Sequence, residues 1–157
     1  LEFRRVLFRS ALAEEIRATG RRVCDTPTDV TQSAQVNALV DATLEQFGRI
    51  DVLVNVAGTI SFGSAQALAE SEWDRVIAIN LKGTFLCCQA VLAPMKARKY
   101  GRIINIGSIL GKNGGNARPW IDASEQANAS NIAYGVSKAG VHAMTMFLAR
   151  EIGRAHV

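Results

Sequence analysis

Cysteine is scarce in this sequence: three residues, two of them the adjacent Cys87 and Cys88, with no C-x-x-C pair. That excludes a disulfide framework. The thiols suit small apolar core positions in a reducing cytosol, so the chain is expected to be cytoplasmic. Histidine is scarcer still. His142 and His156 have no metal-ligand companions at useful spacing, so no metal site is expected and His142 is read as a structural helix residue. No uninterrupted apolar run approaches the roughly 18 residues of a bilayer span, and no membrane partner is expected. The opening LEFRRVLFRS has basic residues but neither an apolar core nor a small-residue cleavage site, so it is not expected to be a signal peptide. Internal repeats and low-complexity tracts are also missing.

What is there suits one globular domain: 157 residues, 48% hydrophobic and 20% charged. Both ends look foreign to it. RVLFRS at positions 5–10 and EIGRAHV at 151–157 can be encoded by reverse complements of a single nucleotide string, the mark of a library adapter read through at both ends. The expected organisation is therefore a non-native leader at 1–10, a partial domain at 11–150 and a non-native tail at 151–157. Setting the ends aside leaves 14 basic against 12 acidic residues, a net charge of +2 instead of +4. No nucleic-acid footprint is expected from that balance.

Along the native part, Ala11 to Thr19 reads as the tail of a helix stopped by Gly20. Val23 to Thr26 is a strand candidate. From Ser33 to Phe47 the apolar residues Val36, Leu39, Val40, Leu44 and Phe47 fall on one helical face, closed by Gly48. Ile50 to Val56 is apolar almost without alternation, as is a parallel strand covered on both faces. A polar loop, Gly58 to Glu70, leads into a helix from Ser71 (its N-cap, with Asp74 three residues on) to Lys99, with Pro94 placed to kink or re-cap it. Arg102 to Ile106 is a third buried strand pattern. Gly111 to Ser130 reads as a loop with room for a short helix, and Ala133 to Arg150 as a helix apolar on nearly every side. This alternation predicts an α/β fold, with right-handed crossovers on a parallel sheet. Such sheets bind ligands beyond the carboxyl ends of their strands.

The residues at those ends admit two readings each. Asp29 can accept from an exocyclic amine, or serve as the acid before the next helix. In Asn55-Val56-Ala57-Gly58 small residues let a flat ligand approach the backbone and the Asn amide can bridge strands; a plain turn would look the same. Ser108 can bind a carbonyl oxygen or merely start a turn. Asn80, mid-helix beside Gly83, signals either a local break with a functional amide or a tolerated exposed Asn. Tyr134 and Lys138 lie four apart, on one face of a helix start. A phenol alone, with a pKa of about 10, accepts protons poorly near neutrality, and a cation held beside a phenol favours its ionised form.

Taken in order, Asp29-Val30, Asn55-Val56-Ala57-Gly58, Asn80, Ser108 and Tyr134-Gly-Val-Ser-Lys138 resemble the short-chain dehydrogenases/reductases, over about Ala11 to Arg150. The resemblance implies a Rossmann-like doubly wound parallel sheet, here incomplete, with three strands and flanking helices. It implies hydride transfer between NAD or NADP and a carbonyl or secondary alcohol. Tyr134 would be the general acid/base, and Lys138 would hold the nicotinamide ribose and favour the phenolate. Ser108 would orient the substrate carbonyl, and Asn80 would support a water relay to Lys138. Asp29 and Val30 would contact the adenine, while Asn55, Ala57 and Gly58 would border a ribose. A small-molecule carbonyl or alcohol is the expected substrate. A homodimer or homotetramer would form through helices 71–99 and 133–150. A non-catalytic cofactor-sensing or interaction module is the alternative; the intact Asn80, Ser108, Tyr134 and Lys138 set argues against it.

Four departures stand out. The family's Gly-rich phosphate loop and its NAD-or-NADP-choosing strand end are not found, nor are the later strands and substrate lid. Val56 stands where the family more often has asparagine. The 25 residues between Ser108 and Tyr134 are about twice the family's usual number. They read either as a specificity loop, in which Asn113, Arg118 and Asp122 suit a hydroxylated substrate, or as a neutral surface insertion.

Overall fold

The computed structural model describes residues 11–114, 119–129 and 131–153. The ends 1–10 and 154–157, with His156, and the stretch 115–118, with Arg118, lie outside them. Helix α1 (residues 11–18) stops at Gly20, whose φ of 79° suits a residue without a side chain. Helix α2 (Ser33–Phe47) closes the same way on Gly48, whose N–H reaches the Leu44 carbonyl at 2.7 Å. Strand β1 (Val52–Asn55) and strand β2 (Arg102–Asn105) pair in parallel, Val52 opposite Arg102 and Asn55 opposite Asn105. Between them one continuous helical run passes through α3 (Glu70–Ile77), a π-helical turn (Ala78–Lys82) and α4 (Gly83–Ala97). After β2 come α5 (Leu110–Asn113), α6 (Ala123–Ala129) and the long α7 (Ile132–Gly153).

The expected helices are present with shifted ends. Ala69, not Ser71, is the N-cap of α3, and it offers no side chain to the free N–H groups. Glu70 and Glu72 in the first turn supply the compensating negative charge. Pro94 lies inside α4, which runs on to Ala97. The strand expected at residues 23–26 joins no ladder. That segment lies against α2 instead, where the Gln46 amide donates to the Val23 carbonyl at 3.4 Å. Two strands rather than three therefore make up the sheet among the described residues. β-propensity marks a segment that can pair, but a strand also needs a neighbour.

The sheet is covered on one face. Helix α4 packs against β1, with α2 and α7 against α4, and Val36, Val76, Cys88, Val91, Met95 and Val141 are buried. On the opposite face Val52, Val54 and Ile104 are about half exposed, which corrects the expectation of cover on both sides. An apolar run records that both faces suit burial, not what buries them. Likewise α7 exposes Val136, Met146 and Phe147 and is not enclosed all round.

The 28-residue helix from Glu70 to Ala97, with a window of mean hydropathy 1.7, is long and apolar enough to cross a membrane by length and composition. Counting uninterrupted apolar residues misses it, because isolated polar residues break the run. In this fold it is the spine of the domain, touching α2, β1 and α7, with Asn80 fully buried at its middle.

Two glycines permit the close approaches on which this packing rests. A Cβ at Gly111 would stand 2.5 Å from the Ala139 nitrogen and 2.6 Å from the Lys138 carbonyl carbon, so α5 can lie on α7 only without one. A Cβ at Gly83 would stand 2.7 Å from Val30 Cγ2. Gly111→Ala is expected to cost about 1–3 kcal/mol by overpacking against backbone that cannot give. Gly135→Ala, where the nearest neighbour is at 3.6 Å, should be neutral or stabilising by up to about 1 kcal/mol. Thermal unfolding of the two variants checks this; equal shifts would show that the α5–α7 contact is not tight.

Candidate active site

Both strands end on asparagine, and the two are paired. Asn55 Nδ2 donates to Asn105 Oδ1 at 2.8 Å and approaches Cys88 Sγ at 3.3 Å, while Asn105 Nδ2 donates to Thr145 Oγ1 at 2.9 Å on α7. The Asn55 side chain thus bridges the strands on the covered face of the sheet. One more ladder bond, Ile106 N–H to the Asn55 carbonyl at 3.1 Å, carries the parallel pairing past the strand ends. Residues 56–58 and 106–108 therefore leave the sheet side by side. Val56, Ala57 and Gly58 are exposed there.

Helix α7 brings its first turns to this crest. Lys138 is buried, 6% exposed, and its Nζ donates to the Ile106 carbonyl at 2.6 Å. Nζ stands 5.7 Å from the centre of the half-buried Tyr134 ring. Burial holds the lysine's pKa below its ordinary value, because the charged form loses hydration. A Cβ on Gly58 would stand 4.0 Å from Nζ and 3.5 Å from Asn80 Oδ1. The bare backbone of Gly58 thus borders both groups.

Asn80 belongs to the π turn, a rare local widening that is frequent at functional sites. Its amide is saturated: Oδ1 accepts from the Thr59 N–H at 2.8 Å, and Nδ2 donates to the Thr59 carbonyl at 2.9 Å and to Ser137 Oγ at 3.0 Å. The sequence reading as an exposed, tolerated Asn is excluded by its complete burial. Ser137 Oγ in turn donates to the Tyr134 carbonyl at 2.7 Å. Ser137 and Thr59 are the site residues that sequence reasoning missed. The available signal was a serine between Tyr134 and Lys138, on the turn facing the buried Asn80.

Ser108 is half-buried, and its Oγ accepts from the Leu110 N–H at 3.2 Å as it opens α5. Through Gly111 that turn lies against α7 at Lys138–Ala139. Gly107 is pressed by His142, whose Nε2 would meet a Cβ at 2.2 Å. His142 is thus a packing residue one turn beyond Lys138. Asp29 is exposed, and its carboxylate accepts from the Thr31 N–H at 2.9 Å and hydroxyl at 2.8 Å, closing the turn before α2. Val30 packs on Gly83, just past the π turn. Asn113 is exposed, and Asp122 accepts from the Glu125 N–H at 2.8 Å at the start of α6. Burial raises the pKa of both Cys87 and Cys88, which makes them poor nucleophiles. Among the described residues no three or more His, Cys, Asp or Glu side chains are grouped to hold a metal.

The arrangement juxtaposes a phenol, a buried ammonium and an open glycine shelf at the carboxyl ends of a parallel sheet. Comparison with known proteins identifies the family. The family model for short chain dehydrogenase matches residues 5–157. The (2S)-[(R)-hydroxy(phenyl)methyl]succinyl-CoA dehydrogenase subunit BbsD of Thauera aromatica is 42% identical over 147 residues, 94% of this chain and 54% of that protein. D-threitol dehydrogenase of Mycolicibacterium smegmatis is 40% identical over 125 residues, 80% of this chain and 43% of that protein. The crystal structure of gox2181 superposes with a TM-score of 0.80 at 33% identity, over 92% of this chain and 52% of that one. The chain spans about half the length of the curated relatives it matches, and its two-stranded parallel sheet with flanking helices is part of a Rossmann fold. By family model, sequence and fold, it belongs to the short-chain dehydrogenases/reductases.

Proposed function

We propose that the chain carries the acid–base centre of an NAD- or NADP-dependent oxidoreductase that interconverts a secondary alcohol and a carbonyl. The observation that supports this most is the buried Lys138 ammonium, held on the Ile106 carbonyl beside the Tyr134 ring. The open backbone at Gly58 leaves space next to it that a Cβ would fill, which suits a flat nicotinamide ring and its ribose. Such a cofactor, when bound, supplies or takes up the hydride.

In the oxidising direction Tyr134, as phenolate, takes the proton of the substrate hydroxyl; in the reducing direction it returns that proton to the carbonyl oxygen. Lys138 stabilises the phenolate and offers its remaining donors to ribose hydroxyls. Ser108 orients the substrate oxygen. Asn80 holds the Thr59 peptide and Ser137, and so supports the route by which protons reach Lys138. Ala57 and Gly58 border the cofactor, with Asn55 fixing the strand end beneath them, and Asp29 and Val30 receive the adenine. A sensing module would need no such acid–base set. The substrate is a small carbonyl or alcohol, with polyols, 3-oxoacyl thioesters and steroids the classes considered. The enzyme works in the cytoplasm as a homodimer or homotetramer, in which a second copy covers Phe85 on α4 and Met146 and Phe147 on α7, all exposed here.

In the full-length enzyme Tyr134→Phe and Lys138→Met should each lower turnover by about 10²-fold or more, general acid–base catalysis being worth that much, with the fold intact by circular dichroism. Undiminished turnover in either variant sinks the mechanism. The 157-residue chain alone, with no Gly-rich phosphate loop among residues 11–153, is expected to give no turnover above a Tyr134→Phe control; hydride transfer by it would overturn that. The lowered pKa of Lys138 also fixes a sign. In the alkaline range below the ordinary lysine value of 10.5, the unfolded chain binds more protons than the folded one, so this residue makes stability rise with pH. Urea midpoints across that range should rise in the parent relative to Lys138→Met; parallel curves would mean that the ammonium is not desolvated.

A further inference from the structure

The bonds that fix Asn80 do not stop at Thr59. While Asn80 grips the Thr59 N–H and carbonyl, the Thr59 hydroxyl accepts from Arg75 Nη1 at 2.7 Å, and the next carbonyl, of Ile60, accepts from Arg75 Nη2 at 3.3 Å. Arg75 is aimed by Glu72, one turn earlier on α3. Nε meets Oε1 at 3.0 Å and Nη2 meets Oε2 at 2.8 Å, a two-point pairing. The two side chains are 40% and 44% exposed, and an ion pair at that exposure adds little stability by itself. Its geometry matters more. The guanidinium is a rigid planar fork, so once Glu72 has taken Nε and Nη2, Nη1 points at Thr59. Thr59 is therefore held from both sides: a buried amide grips its backbone, and an exposed fork grips its hydroxyl and the next carbonyl.

An asparagine amide has two faces, one accepting and one donating. Asn80 has its present orientation because the Thr59 peptide offers it an N–H and a carbonyl at fixed positions. That orientation leaves Nδ2 free to reach Ser137, whose hydroxyl bonds the Tyr134 carbonyl. The loop that carries the peptide has exposed neighbours in Gly58, Ile60 and Phe62, and the buried side of Asn80 does not anchor it from the solvent side. We propose that Arg75, set by Glu72, is a positioning residue: it fixes the Thr59 peptide and so the Asn80 amide, Ser137 and the turn bearing Tyr134. The inference rests on the acid–base reading of Tyr134 and Lys138, and it adds a control point on the surface of α3.

The test has two arms. In the ¹⁵N-labelled 157-residue chain, Arg75→Met should speed hydrogen exchange of the Thr59 amide by about tenfold, as local opening does, and shift the Asn80 side-chain resonances. Core amides such as Val91 should be unchanged. Arg75→Lys, which keeps a donor for the Thr59 hydroxyl, should recover part of the protection, and Asp74→Asn on the same helix should change nothing. Unchanged Thr59 exchange in Arg75→Met, or a rise shared by Val91, overturns the proposal. In the full-length enzyme Arg75→Met should lower kcat by about tenfold through misplacement of the site, with KM little changed and Arg75→Lys rescuing most of the loss. An unchanged kcat despite a loosened Thr59 would also overturn it. Tyr134→Phe run in parallel separates the two failures. If that variant keeps its turnover the acid–base reading falls, while Thr59 exchange still decides whether Arg75 sets the loop.

Discussion

The ammonium of Lys138 is the constraint around which the rest of the domain is arranged. A buried lysine must place its donors on acceptors, because an unpaired charge away from water is costly. Here the acceptor is a backbone carbonyl that has just left the sheet, 2.6 Å away. That single bond ties the first turns of α7 to the end of β2 and sets how close the helix must come. The close approach in turn requires Gly111, where a side chain would strike the backbone of α7 at Lys138–Ala139, and Gly107, where it would strike His142. Thr145 continues the tie lower down, by accepting from Asn105 on the same strand.

Around Lys138 the polar groups form two hydrogen-bonded chains. Asn55, Asn105 and Thr145 link sheet to helix below the crest. Thr59, Asn80, Ser137 and the Tyr134 carbonyl link the loop after β1, the π turn and α7 above it. The amides of Asn80 and Asn105 have partners on both their donor and their acceptor sides, which is the condition under which a polar network rigidifies a core. The π turn matters for the same reason. Thr84 Oγ1 donates to the Asn80 carbonyl at 2.7 Å, so the irregular backbone is satisfied locally while the side chain is spent on the site.

Much of this was legible in the sequence. Helix periodicity and the glycines at 20 and 48 located α1 and α2, and the order of motifs pointed to the candidate site, because Tyr134 and Lys138 share a helical face whatever surrounds them. The missed features depend on partners far along the chain. Residues 23–26 have strand-like composition but no ladder, since pairing is decided by neighbours and not by the segment. Ser137 carried no signal of its own in the sequence because its role depends on Asn80, 57 positions away. Asn55 was legible as a strand bridge but not as part of a ladder with Asn105 and Thr145. The π turn left a trace only in the poor helix propensity of Asn80 beside Gly83.

The parallel pairing of β1 and β2 also sets an order of assembly. Val52 and Arg102 are partners across fifty positions of chain, with the whole Glu70–Ala97 helix lying between them in sequence. Contacts of such long sequence separation close slowly, because loop entropy is lost before the ladder rewards it. Even once the strands have joined, the Val52–Val54–Ile104 surface stays about half exposed. Until something covers that face, the nascent domain presents a flat apolar surface beside unpaired strand edges, the combination that draws chains into aggregates and into the hands of chaperones.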